Sequence, residues 1–426
     1  MRPGILPTAP CLVLAMKISP TLTTLLLAAV SATSAHAQQQ QTKPPISTYG
    51  VDVATRTMSI PGMPAGGMAG MPGMPAGMGG PQKELWLGLR SSHRASGPPE
   101  AQHMIPPGMD MGPALPLLAP PPAQPGRADY DEEKPPEKPK ARMLVYWGCG
   151  DTIRPGQPKI ADTEKMSMVE FGQALAGRSP PERWSAIRNM QFVWPNERDK
   201  KQVPPNASLR GDQLVRGSAT PDIKFAIGDK QDFMPPMEVT ATGPISGPTP
   251  LSWASIPTAQ GYFLQAMGFR QNGNEMIIWT SSELQDTGWG LMNYLPNDFV
   301  RRMISEKVVL PASATSCTIP KGVFEGVEGG MVNGIAYGEE LNLAQPPRPA
   351  DPKIAWEPIW AVKVRVKSTG MTPLGMEDAG ERRGARRGGQ RPSSDGMTPS
   401  SAEPKAPAPA DPATEAMKGL RKLLPF

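Results

Sequence analysis

The chain has 426 residues, of which 54 are proline and 44 glycine, and only 38% are hydrophobic. That proline and glycine load points to long non-globular segments rather than one large core, leaving roughly half the chain to fold. The formal net charge of +5 draws much of its excess from Arg382, Arg383, Arg386, Arg387 and Arg391, so it does not imply a basic folded face.

Residues 22–30 form a short apolar run, and Ala35-His36-Ala37 follows as a small-residue cleavage site just before Gln38. Charge, apolar run and A-x-A site in that order predict a secretory signal peptide over residues 1–37. The run is shorter than the roughly 20 residues of a membrane span. A start at Met16, with Lys17 as the positive end, gives the tidier signal. The expected mature protein is therefore periplasmic or secreted, without a transmembrane span. Export also removes Cys11 and leaves Cys149 and Cys317. Two cysteines in an oxidising compartment pair more often than not, so a Cys149–Cys317 disulfide is expected.

Residues 38–83 read as a disordered leader rich in Met, Gly and Pro, although Val51 and Val53 alternate as an edge strand would over residues 49–60. Order is expected again over a β-rich region, residues 84–231. Leu85, Leu87 and Leu89 on one face and Trp86 on the other fit a strand buried on both sides. Residues 97–140 read as a Pro-rich loop. Residues 142–150 form a strong strand, ended or bulged by Gly148 and Gly150. Met166, Val169, Phe171 and Leu175 carry a helical pattern. Trp184, Ile187, Phe192, Val193 and Trp194 are candidate core residues, and Ile223, Phe225 and Ile227 alternate as a strand does.

Residues 232–369 carry the clearest module. Strands are expected at 238–242, 251–256, 261–268 and 275–281, with later ones at 331–343 and 360–366 and Pro, Gly or Asn turns between them, which signals a β-sandwich. Leu251-x-Trp253, Ala259-x-Gly261-Tyr262 and Trp279-x-Ser281 resemble the second, third and fourth strands of a fibronectin type III domain. The resemblance implies an immunoglobulin/fibronectin-like sandwich with Trp253 packed under Tyr262. Residues 287–319 depart from it and hold a helical pattern at 297–304. Residues 370–426 read as a disordered basic tail, ending in a short helix with Met417, Leu420, Leu423 and Leu424 on one side. The fold class is thus mainly β: a sandwich, a second smaller β-rich region and long disordered segments.

The mature chain has two histidines, His93 and His103, and neither follows Cys149 or Cys317 as a cupredoxin copper site requires. It carries no H-E-x-x-H zinc helix and no Gly-rich phosphate loop. A Ser-His-Asp triad would have to draw its histidine from Pro-rich sequence, and no spacing singles out a pair of glycosidase carboxylates. The one constellation with a chemistry of its own is Met63, Met68, Met71, Met74 and Met78 with His103, Met104, Met109 and Met111. Thioether sulfur suits Cu(I), and M-x-x-M and M-x-M spacings let one loop supply several ligands. The plainer reading is methionine as flexible filler.

The leading functional expectation is a non-enzymatic, exported protein that binds or scaffolds at the cell envelope, with an envelope protein or polysaccharide as partner. No nucleic-acid partner is expected, and the terminal helix would touch a membrane surface only weakly. Periplasmic copper binding through the Met-rich loop and an envelope hydrolase with unidentified carboxylates are the alternatives.

Overall fold

A computed structural model describes residues 40–59, 80–95, 97–120, 141–181, 185–270, 274–327 and 329–375. The signal segment, Met63, Met68, Met71, Met74, Met78, Trp184, the arginine cluster and the terminal helix pattern lie outside the described residues. The described residues fall into two units. The small one joins residues 40–41 to Pro349–Ala355, where the Gln40 side chain donates to the Ile354 carbonyl at 2.9 Å. The large one holds every strand and helix below.

In chain order the strands open with β1 (Ser47–Met58), β2 (Gln82–Ser91), β3 (Ala101–Met104), β4 (Ala114–Leu117), β5 (Arg142–Trp147) and β6 (Lys159–Asp162). Helix α1 (Met168–Ala174) follows, started by a capping box in which Ser167 and Glu170 satisfy each other's backbone amides. Then come β7 (Phe192–Trp194), β8 (Gly211–Gly217), β9 (Thr220–Ile227), β10 (Thr240–Ala241), β11 (Thr249–Ser252), β12 (Gly261–Arg270) and β13 (Glu275–Thr280). The chain continues through α2 (Asn297–Ser305), β14 (Leu310–Pro311), β15 (Ser316–Ile319), β16 (Gly330–Tyr337), β17 (Leu341–Gln345) and β18 (Trp360–Leu374). The protein is mainly β.

One large sheet has the order β6-β5-β13-β12-β16-β18-β1-β2-β7, with β14 added to β12 and β17 to β18. Two small sheets have the orders β10-β11-β15 and β4-β3-β8-β9. Strand alternation explains how they pack. Val51, Val53, Leu85, Leu87, Val364 and Val366 turn one face of the large sheet into the main core, which also takes Leu251, Cys317 and Ile319 from one small sheet and Leu115, Val215 and Ile223 from the other. The opposite face is covered in patches. Phe299, Val300 and Met303 of α2 pack on Phe263, Ile335 and Tyr337. Phe171, beside Leu175 at the end of α1, packs on Met143, Val145, Met276 and Ile278.

Cys149 and Cys317 form a disulfide with Cα atoms 5.2 Å apart. It ties the turn after β5 to β15, where Gly150 N–H also donates to the Thr318 carbonyl at 3.0 Å. Gly148, at φ 96°, takes the left-handed conformation that ends β5 and sends the chain to this cross-link.

Several expectations change. The strand in the expected leader is not an edge: β1 lies between β18, parallel to it, and β2, antiparallel. The Pro-rich stretch is not loop throughout, because residues 101–104 and 114–117 pair as β3 and β4. Between them the chain reverses through a short 3-10 turn that closes at Asp110, whose φ is 52°. Residue 231 does not bound the main sheet, since β5 pairs with β13 and β1 with β18 across it. Residues 370–374 belong to β18 rather than to the tail. Ile187 is 43% exposed and lies outside the core, whereas Val193 and Trp194 are buried.

Candidate functional site

The face of β1, β2 and β18 that points away from the main core carries charge instead of valine. Alternation along β1 places Asp52 and Arg56 there, β2 adds Glu84, and β18 adds Arg365 and Lys367. The register sets Asp52 beside Arg365, and Ala54 between Glu84 and Lys367.

Asp52 and Arg365 are 4% and 6% exposed and form a bidentate pair, Arg365 Nε to Oδ1 and Nη2 to Oδ2, both at 2.7 Å. Asp52 Oδ2 also accepts the backbone N–H of Ala186 at 2.9 Å, which anchors the 185–190 segment over the sheet. That segment comes so close to Gly88 that a Cβ there would collide with the Ala186 carbonyl oxygen. Burying two charges costs several kcal/mol each, and only full pairing of this kind offsets it.

Tyr294, from the segment that leads into α2, roofs the pair. Its ring centroid lies 4.4 Å from Arg365 Cζ and 4.3 Å from Lys367 Nζ, within cation–π range. Its hydroxyl is buried and makes no hydrogen bond among the described residues. Lys367 Nζ donates to Asn293 Oδ1 at 3.2 Å. Beside them Arg56 Nη2 meets Glu84 Oε2 at 3.2 Å. Three cations thus face two carboxylates; each carboxylate is taken by an arginine, and Lys367 makes no ion pair among the described residues. Burial, against the pull of Asp52 and with the push of Arg365, brings the Lys367 ammonium down to about 8. Burial pushes the Tyr294 hydroxyl well above its ordinary value, with Asp52 adding to the effect. Among the described residues the site thus combines a half-buried lysine without an ion pair, a phenol without a hydrogen bond and a stacked arginine.

The residues singled out in the sequence are placed elsewhere. His103 is fully buried. Its Nδ1 lies 2.8 Å from the Tyr49 hydroxyl and its Nε2 lies 3.0 Å from Gln213 Oε1. Gln213 Nε2 is committed to the Leu209 and Gly211 carbonyls at 2.7 and 3.1 Å, so Gln213 Oε1 accepts from His103 Nε2–H and Nδ1 accepts from Tyr49. Met109 and Met111 are buried in the main core at 0% and 5% exposure, and Met104 is half-buried at the end of β3. Their surroundings are those of packed apolar side chains, and both ring nitrogens of His103 are occupied. Among the described residues no three His, Cys, Asp or Glu side chains group as metal ligands. Cys149 and Cys317 are joined, as their pairing in the sequence suggests.

Asp52, Tyr294, Arg365 and Lys367 were not singled out from the sequence. The signal was the alternation Val362, Lys363, Val364, Arg365, Val366, Lys367, which puts three cations on one side of a strand. What lies over that side comes from residues 186 and 294, far away in the chain. Among the described residues no helix is long and apolar enough to cross a membrane. No protein-family model matches the chain, and no curated protein matches its sequence.

Proposed function

We propose that this protein is a non-enzymatic, exported β protein that binds or scaffolds a partner at the cell envelope. The observation that supports the reading is the arrangement of the 232–369 region. Its strands form two sheets, β10-β11-β15 and part of the large sheet, β13-β12-β16-β18, that share one core as the sheets of a β-sandwich do. The Trp253 and Tyr262 rings meet at 5.5 Å, and the Tyr262 hydroxyl accepts the Ile256 N–H at 2.8 Å, in keeping with the fibronectin-like resemblance. Such sandwiches serve as rigid carriers of recognition surfaces. The disulfide fits an oxidising, extracytoplasmic address.

The test is fractionation followed by co-sedimentation. The mature chain is expected outside the cytoplasm and is expected to bind purified envelope fragments saturably, with and without residues 376–426. A cytoplasmic location, or no saturable binding by either form, overturns the reading.

A further inference from the structure

The charged face carries a second inference that stands without the reading above. Asp52 is used up by Arg365 and the Ala186 amide, and Glu84 lies with Arg56. The remaining cation, Lys367, sits against the Tyr294 ring, and among the described residues the neutral Asn293 side chain is its one hydrogen-bond partner. Tyr294 is 8% exposed, and its hydroxyl donates to nothing among the described residues. A buried phenol without a partner costs about 1–3 kcal/mol. A lysine that surrenders hydration without gaining a carboxylate is likewise unfavourable. One group relieves both deficits: an oxyanion that accepts from the ammonium and from the phenol.

We propose that Lys367 and Tyr294 form a subsite for one oxyanion, the carboxylate or phosphate group of a ligand. Arg365, held in place by Asp52, supplies background positive charge and does not have to leave its carboxylate. Arg56 stands at the exposed rim, its side chain 55% exposed. Tyr294 lays its ring against the Lys367 ammonium, and the adjacent Asn293 accepts a hydrogen bond from it.

The charged and titratable groups that face Lys367 are Asp52 and Arg56 from β1, Glu84 from β2, Arg365 from β18 and Tyr294 from the segment before α2. Burial holds Tyr294 well above its ordinary value, so Lys367 is the group of this pair that changes charge between pH 7 and 10. An anion that needs the ammonium therefore binds less well as the lysine loses its proton.

The test is titration of the full mature chain with acetate and, separately, inorganic phosphate, at constant ionic strength set with chloride. Binding is read from the NMR shifts of the backbone amides of residues 293 and 294, which every variant keeps. One of the two oxyanions is expected to bind in competition with chloride, and which one binds identifies the ligand group. Its affinity is expected to fall about tenfold per pH unit above pH 8, as linkage to one proton requires. Lys367→Met is expected to lose at least about tenfold in affinity. Lys367→Arg is expected to keep binding but lose the dependence between pH 8 and 10, because the guanidinium stays charged. Tyr294→Phe is expected to weaken binding a few-fold at an unchanged pH profile. Binding of neither oxyanion above the chloride control overturns the proposal. So does binding that Lys367→Met leaves intact, or a Lys367→Arg profile identical to that of the unaltered chain. If Lys367→Met does not fold, the Lys367→Arg profile alone decides.

Discussion

Acid should weaken this protein through one residue, His103. Its ring is fully buried, with a hydroxyl donating to Nδ1 and an amide oxygen accepting from Nε2. That arrangement fits only the neutral ring. Burial brings the imidazole down to about 4, against the weaker opposing pull of its bond to Gln213. In the unfolded chain the same ring titrates near 6.5. The folded value lies below the unfolded one, so the stability this residue confers is complete above about pH 6.5 and is lost as pH falls toward 4. The full loss is about 3 kcal/mol, at 1.36 kcal/mol for each unit of difference. Between pH 7 and 5, before most carboxylates protonate, the share is about 2 kcal/mol. Urea unfolding of the mature chain and of His103→Gln at both pH values measures it. The substituted chain is expected to be less stable at pH 7 and to lose about 2 kcal/mol less than the unaltered chain on going to pH 5. Equal losses in the two chains refute the reasoning. So does a His103 ring that titrates near 6.5 by NMR.

Three other outcomes follow from the packing. Before reduction the mature chain should show no free thiol, and Cys149→Ser with Cys317→Ser should lower unfolding stability by about 2–5 kcal/mol, near the upper end because the cross-link spans 168 residues of sequence. Asp52→Asn should cost about 3–5 kcal/mol in urea unfolding, since it leaves the Arg365 guanidinium buried without its carboxylate; a loss below about 1 kcal/mol would mean the pair is far more hydrated than its burial indicates. Gly88→Ala should destabilise by about 1–3 kcal/mol and speed amide exchange at Ala186, because the new methyl group meets the Ala186 carbonyl and the Met190 side chain.

The legible part of the fold is the part written in local alternation. Leu85, Leu87 and Leu89 mark β2, Ile223, Phe225 and Ile227 mark β9, and the runs around Phe263 and Ile278 mark β12 and β13. Helix α2 was legible for the same reason, since Phe299, Val300 and Met303 fall on one face. The strands inside the Pro-rich stretch were not. Residues 101–104 and 114–117 are four-residue pieces whose prolines suggest a loop, and they hold as strands because β8 and the main core receive them. The place of β1 was hidden too. Its alternation shows a strand, but its parallel partner β18 begins more than three hundred residues later, and no local pattern records that pairing.

The sequence by itself determined the strands written in alternation, the helix before β14 and, once Cys11 is set aside with the export signal, the only pair of cysteines left to join. Periodicity and cysteine number are properties of single segments or of simple counting. Tertiary structure decided which strand lies beside which, and with it the site. Among the described residues Lys367 is left without an ion pair only when β1 supplies Asp52 to Arg365, β2 supplies Glu84 to Arg56, and the segment before α2 lays Tyr294 over both cations. The environment of a charge is set by what surrounds it in space, and here those surroundings come from three stretches of chain distant from β18.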